Sequence, residues 1–131
     1  MRLFVFVLAG ALLAGCDTAP DIDAGLTSPS VWILASGAEA EGAEVTFGTD
    51  GRFSAQLVCN AAFGAYSASS ERIEISVEGT TYAGCGDGNA AEVATVEALE
   101  AADQFQIEGD RLTLRGPDVR LVFQLRVYRA L

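Results

Sequence analysis

Three thiols carry most of the reactive chemistry in this 131-residue sequence: Cys16, Cys59 and Cys85. All 8 basic residues are arginine, and neither Lys nor His occurs. That composition removes several reaction classes. A serine nucleophile would have no His or Lys to take its proton. Zinc would lack an imidazole, and no Cys-x-x-Cys pair is present to replace it. The same absence argues against a redox-active thiol pair, which needs a lowered thiol pKa. Two carboxylates could do acid–base work on a sugar. The densest acidic group, Glu39, Glu41 and Glu44, flanks a Gly- and Glu-rich loop and reads more simply as solvated charge. Asp87-Gly88-Asn89 sets two oxygen-bearing side chains around a glycine, as calcium turns do, but further ligands are missing. A turn with a helix cap is the simpler reading there. No catalytic set, metal site or cofactor is expected.

Cys16 has a distinctive context. A one-Arg head, Met1-Arg2, precedes an apolar run from Leu3 to Leu13, and Leu13-Ala14-Gly15-Cys16 follows. The run is shorter than the roughly 17–25 residues that a bilayer-spanning helix needs. It has the length of a signal-peptide apolar region ending in small residues. The pattern resembles the lipobox of bacterial lipoproteins, in which the cysteine thiol takes a diacylglycerol and the chain is cut just before it. That resemblance implies residues 1–15 as a signal peptide and Cys16 as the acylated first residue, with palmitate-type chains as the membrane anchor. One chain holds a protein marginally, whereas two or more hold it firmly. A cleaved peptide without lipid, or a Cys16 paired inside the fold, is the alternative. If Cys16 is spent on lipid, Cys59 and Cys85 remain to form a disulfide in an oxidising compartment. Two free thiols that never meet are the other possibility.

The formal net charge is −10, and loss of Arg2 takes it to about −11, seven Arg against 18 acids. Nucleic-acid binding needs a cationic footprint and is not expected. Adsorption to anionic lipid is disfavoured for the same reason, so attachment would rest on acyl chains. A basic partner is permitted, although acids that merely keep a small domain soluble are the plainer account. A monomer is expected. Asp17, directly after the cysteine, resembles the enteric signal for retention at the inner membrane.

The elements that would position these residues follow from periodicity. Residues 16–29 read as the lipidated end and a flexible tether, in which only Ile22 and Leu26 could be buried. The 13 residues from Asp17 would typically span about 20 Å. Residues 30–131 form one domain. Val31 to Ala35, Glu44 to Phe47 and Phe53 to Val58 alternate as strands, the last two joined by an Asp50-Gly51 hairpin turn. Arg72 to Glu78 sets Ile73, Ile75 and Val77 on one face. Gln104 to Glu108 and Arg111 to Arg115 flank the turn residues Gly109-Asp110. Arg120 to Arg129 closes the pattern. Asn89 to Ala102 breaks it: rich in Ala and Glu, it predicts a helix packed through Val93, Val96 and Leu99. Asn89 and Glu92 have the spacing of a capping box at its start.

These motifs fall in a familiar order. Val58-Cys59-Asn60 is followed by Phe63-Gly64 and Tyr66, then Thr81-Tyr82-Ala83-Gly84-Cys85, the helix, and Gly109-Asp110-Arg111-Leu112-Thr113-Leu114. The order resembles the META domain of the HslJ family of bacterial lipoproteins, over about residues 30–128. Val58 stands where the family often has Gly, and Ala83-Gly84 where it often has Met-Ala. The resemblance implies a mainly β (α+β) fold: a strongly curved antiparallel sheet or partly open barrel with one helix packed across it. It implies an envelope protein linked to stress tolerance or secretion, without an assigned reaction. Asn60, beside the second cysteine, is expected to bond nearby backbone and fix a turn.

The reading that follows is a lipid-anchored, non-enzymatic stress-tolerance or interaction module of the bacterial envelope, facing the periplasm. One alternative is an acidic proteinaceous inhibitor of a basic hydrolase such as lysozyme. Another is a carrier of an apolar ligand, which would need a dry cavity between sheet and helix.

Overall fold

The computed structural model describes residues 22–23, 25–27, 30–84, 86 and 88–126. Eight strands and one helix follow in order: β1 (Val31–Ser36), β2 (Glu44–Phe47), β3 (Arg52–Gln56), β4 (Ala61–Ser69), β5 (Arg72–Thr80), α1 (Gly88–Ala101), β6 (Gln104–Glu108), β7 (Arg111–Arg115) and β8 (Arg120–Arg126). Each strand pairs antiparallel with its sequence neighbour, and β8 returns to β1. The fold is therefore mainly β, a closed ring-like sheet with one helix. The expected partly open barrel is corrected to a closed ring, because Val31 to Ser36 pairs with β8 as well as β2.

Closure is uneven. β4 and β5 run together from Ala62–Thr80 to Ser69–Arg72, whereas β5 and β6 share one registered pair, Arg72–Gln104. Two backbone bonds flank that pair, from Ile73 N to Asp103 O (3.1 Å) and from Phe105 N to Glu71 O (2.9 Å). The β5–β6 connection contains α1, which lies at the same end of the ring as the β1–β2, β3–β4 and β7–β8 turns.

Inward residues at period two fill the ring, as strand geometry requires. Trp32, Phe47, Phe53, Leu112, Leu121 and Phe123 are fully buried. Each such side chain contributes roughly 1.5–3 kcal/mol by leaving water. Phe47 meets Tyr66 edge to face at 4.9 Å and Phe53 at 5.7 Å between ring centroids. The Tyr66 hydroxyl donates to Gly48 O at 2.6 Å. Gly51 takes φ 79° in the expected Asp-Gly turn, the left-handed region a side chain disfavours.

The end opposite α1 is closed by chain expected to be tether. Leu26 is 0 % exposed, Trp32 Nε1 donates to Leu26 O at 3.1 Å, and Thr27 bridges Phe47 in parallel. The tether expected over residues 16–29 is thus docked at Leu26 and Thr27, because the open end of the ring leaves apolar surface for a leucine to cover. The final strand is described as far as Arg126, and residues 127–129 of the expected Arg120 to Arg129 segment lie outside the described residues.

β4 has no counterpart in the sequence reading. Its inward positions are Ala62, Gly64, Tyr66 and Ala68, mostly too small to announce a core face. Smallness is what the position needs. The β4–β5 register shifts at Phe63/Gly64, and a Cβ on Gly64 would run into the Ser76 carbonyl. Gly64→Ala is expected to cost about 1–3 kcal/mol through forced displacement of β5, read by chemical denaturation.

Tyr66 generates a second expectation. Burial, then Asp50 and Asp23, hold its phenol above the ordinary 10.0. A raised phenol pKa favours folding below the unfolded value, and that contribution is lost as pH rises through the folded value. Stability should fall above pH 10. Tyr66→Phe should remove that component of the alkaline loss, at a cost near neutrality of about 1 kcal/mol for the hydrogen bond.

Candidate functional site

The β3–β4 turn is tight, with Leu57 N bonded to Asn60 O at 2.8 Å. It aims the N–H groups of Cys59 and Asn60 at α1. There the Glu92 carboxylate takes both: Oε2 accepts from Asn60 N at 2.8 Å and from Cys59 N at 3.3 Å. Glu92 Oε1 accepts from Asn60 Nδ2 at 3.1 Å. The other side of Asn60 holds the segment after β5. Its Oδ1 accepts from Ala83 N at 2.7 Å and from Thr81 Oγ1 at 3.1 Å, and its Nδ2 donates to Ala83 O at 3.3 Å. Asn60 therefore ties a turn, a strand extension and a helix together.

This arrangement corrects two expectations about α1. Glu92, 4 % exposed, does not close a capping box with Asn89, which already lies inside the helix. The local Asn-x-x-Glu pattern yields to backbone donors on another element. The packed face also differs. Leu99 is buried and Val96 half-buried as expected, but Val93 is 58 % exposed, and Glu92, Thr95 and Ala98 take the inner positions. Thr95 satisfies its hydroxyl by donating to Ala91 O (2.8 Å) while accepting from Ala40 N (3.2 Å), which pins the β1–β2 loop to the helix. Glu92 and Leu99 are seven residues apart, hence on one helix face. That spacing was the available signal for a buried carboxylate.

Between α1 and the residues following β5 lies a groove of about 160 Å³. Leu57, Val93 and Val96 give it an apolar floor, with Tyr82 on its rim and Asn60 and Glu92 at one wall. Among the described residues no nucleophile and base meet there, and Glu92 is spent on three donors. Elsewhere, Glu39 and Glu41 are exposed on the loop, while Glu44 pairs with Arg126 instead of converging with them. Among the described residues no three Cys, Asp or Glu gather as a metal site would require. Cys59 is exposed in the β3–β4 turn. Cys16, Cys85 and Asp87 lie outside the described residues. Tyr66 is core, whereas Phe63 lies outside the ring over Gly79, where a Cβ would come within 2.6 Å of its ring.

The order of turn, cysteine-adjacent asparagine, helix and Gly-Asp hairpin matches a known profile. The META domain profile covers residues 30–128. The chain belongs to the META domain family. Membership suggests a bacterial envelope or stress-related protein. No curated protein matches the chain. Among solved structures, this META domain is similar to a protein from Burkholderia xenovorans, at 19 % identity and TM-score 0.59, over 79 % of this chain and 85 % of that one. Another NMR structure matches at 17 % identity and TM-score 0.57, over 79 % and 94 %. A DUF4847 family protein from Bacteroides vulgatus matches at 22 % identity and TM-score 0.52. That match covers 63 % of this chain and 58 % of the Bacteroides protein, so the chain spans little more than half of the latter's length. These likenesses concern the fold.

Removing the Glu92 carboxylate while leaving its buried donors should be costly. Glu92→Ala and Asn60→Ala are each expected to destabilise the META domain by about 1–3 kcal/mol. Because they share one network, the double variant should lose less than the sum, a comparison made by urea denaturation of all four proteins.

Proposed function

We propose that the chain is a lipid-anchored, non-enzymatic interaction module of the bacterial envelope, held through acyl chains on Cys16 and facing the periplasm. The observation that carries this reading is the order Arg2, apolar run and Leu13-Ala14-Gly15-Cys16 ahead of a META domain. The geometry is compatible with it. Leu26 enters the ring at the end opposite α1, so an anchor at Cys16 directs that end toward the lipid and presents the helix end outward. A Cys59–Cys85 disulfide belongs to the same reading. Its support is the Asn60–Ala83 bonding, which brings the chain two residues before Cys85 beside the Cys59 turn.

Acidic inhibition of a basic hydrolase is the second reading, favoured by the net charge of −10. It requires binding that weakens steeply with salt. The carrier reading is disfavoured, since side chains occupy the interior of the ring.

Mass spectrometry of the protein from membranes tests the anchor. The expected mature chain begins at an acylated Cys16, and Cys16→Ser should move the protein to the soluble fraction. An unmodified chain beginning at Met1 would refute the reading. In the same sample Cys59 and Cys85 should resist alkylation until reduced. Reduction should cost about 3–4 kcal/mol, the loop-entropy value for a closed loop of this length.

A further inference from the structure

Of the five exposed large hydrophobic residues among the described residues, two, Tyr82 (96 % exposed) and Val93, line the groove beside α1. A strand edge runs into the same place. Among the described residues, β5 has no registered strand partner on that side beyond its one pair with β6. At Val77 the missing partner is replaced by α1, whose Glu100 Oε2 accepts from Val77 N at 3.4 Å. Further along, Thr80, Thr81 and Tyr82 border the groove itself.

We propose that this groove takes up an extended segment of a partner protein, an apolar side chain seated on Leu57, Val93 and Val96 and a basic one beside Glu97. The proposal rests on the interaction-module reading and names its site and the chemistry of its partner. Size favours a side chain over a free metabolite. About 160 Å³ is well below the roughly 300–1,000 Å³ of small-molecule sites. The strand edge favours extended backbone, which gains main-chain bonds by adding to a sheet while alternate side chains enter pockets. Charge selects the partner's sign. Among the described residues the lining carries Glu92 and Glu97 and no arginine. With Glu92 occupied by Cys59 and Asn60, the exposed Glu97 is the carboxylate left to meet a cation.

The test uses the full chain carrying Cys16→Ser, which avoids detergent, and three fluorescent heptapeptides. One alternates Val with Arg, the second replaces Arg by Glu, and the third keeps Val and Arg but carries interspersed Pro, which cannot donate to a strand. The Val/Arg peptide should bind, and each of the others at least about tenfold more weakly. Amide resonances of Leu57, Thr80, Thr81 and Val96 should shift on titration. Val93→Ser and Glu97→Arg, both on the exposed side of α1, should weaken Val/Arg binding about fivefold while unfolding curves stay unchanged. Failure of the Val/Arg peptide to bind, equal binding of all three, or shifts centred on β7 and β8 would overturn the groove assignment. None of those results touches the lipid anchor, which the mass of the mature chain reports separately.

Discussion

The β3–β4 turn leaves the backbone N–H groups of Cys59 and Asn60 pointing away from the sheet, with no strand to receive them. A buried donor without a partner costs about 1–3 kcal/mol, so something has to cover that end of the ring and supply an acceptor. Helix α1 does both. Its Glu92 brings a carboxylate into a nearly water-free position, a placement tolerable because three N–H donors surround it. Thr95 repeats the device one turn later with the β1–β2 loop. The helix is therefore fixed to the ring by directed bonds to Glu92, Thr95 and Glu100 and by packing of Ala98 and Leu99. Directed bonds set its register, which apolar contact alone sets only loosely.

Much of the architecture was legible because alternation and turn chemistry agreed. Gln104 to Glu108 and Arg111 to Arg115 coincide with β6 and β7, for they flank Gly109-Asp110 and alternate without interruption. β4 was not legible. Ala62, Gly64 and Ala68 lack the bulk that marks a core face, and at Gly64 the small size reflects crowding by β5, a property of the neighbour and not of the segment. The helix was visible from its Ala and Glu content, but its buried face was not, since Glu92 and Thr95 sit where apolar residues were expected. Glu92 was also misread by a local motif, and Asn60 was noticed without its long-range partners. Both failures have one cause: the hydrogen-bond partners lie on elements distant in sequence, and no local pattern names them.

The two ends of the ring are finished by different means. Residues 25–27 close one end with a leucine, a tryptophan N–H bond and a short parallel bridge. The helix closes the other with polar contacts and leaves a groove beside them. One end is dry and the other chemically varied.

The single Arg72–Gln104 pair has a further consequence. Opened there, the ring becomes one continuous eight-stranded sheet with β5 and β6 as its two free edges, and no other pairing need break. Free edges of complementary sequence invite the same strands from another molecule. Exchange of β6 between chains would restore the β5–β6 pairing in a dimer, at the cost of freeing α1 from its own ring. The bonds from Glu92 to the β3–β4 turn therefore act against intermolecular strand swapping as well as for folding.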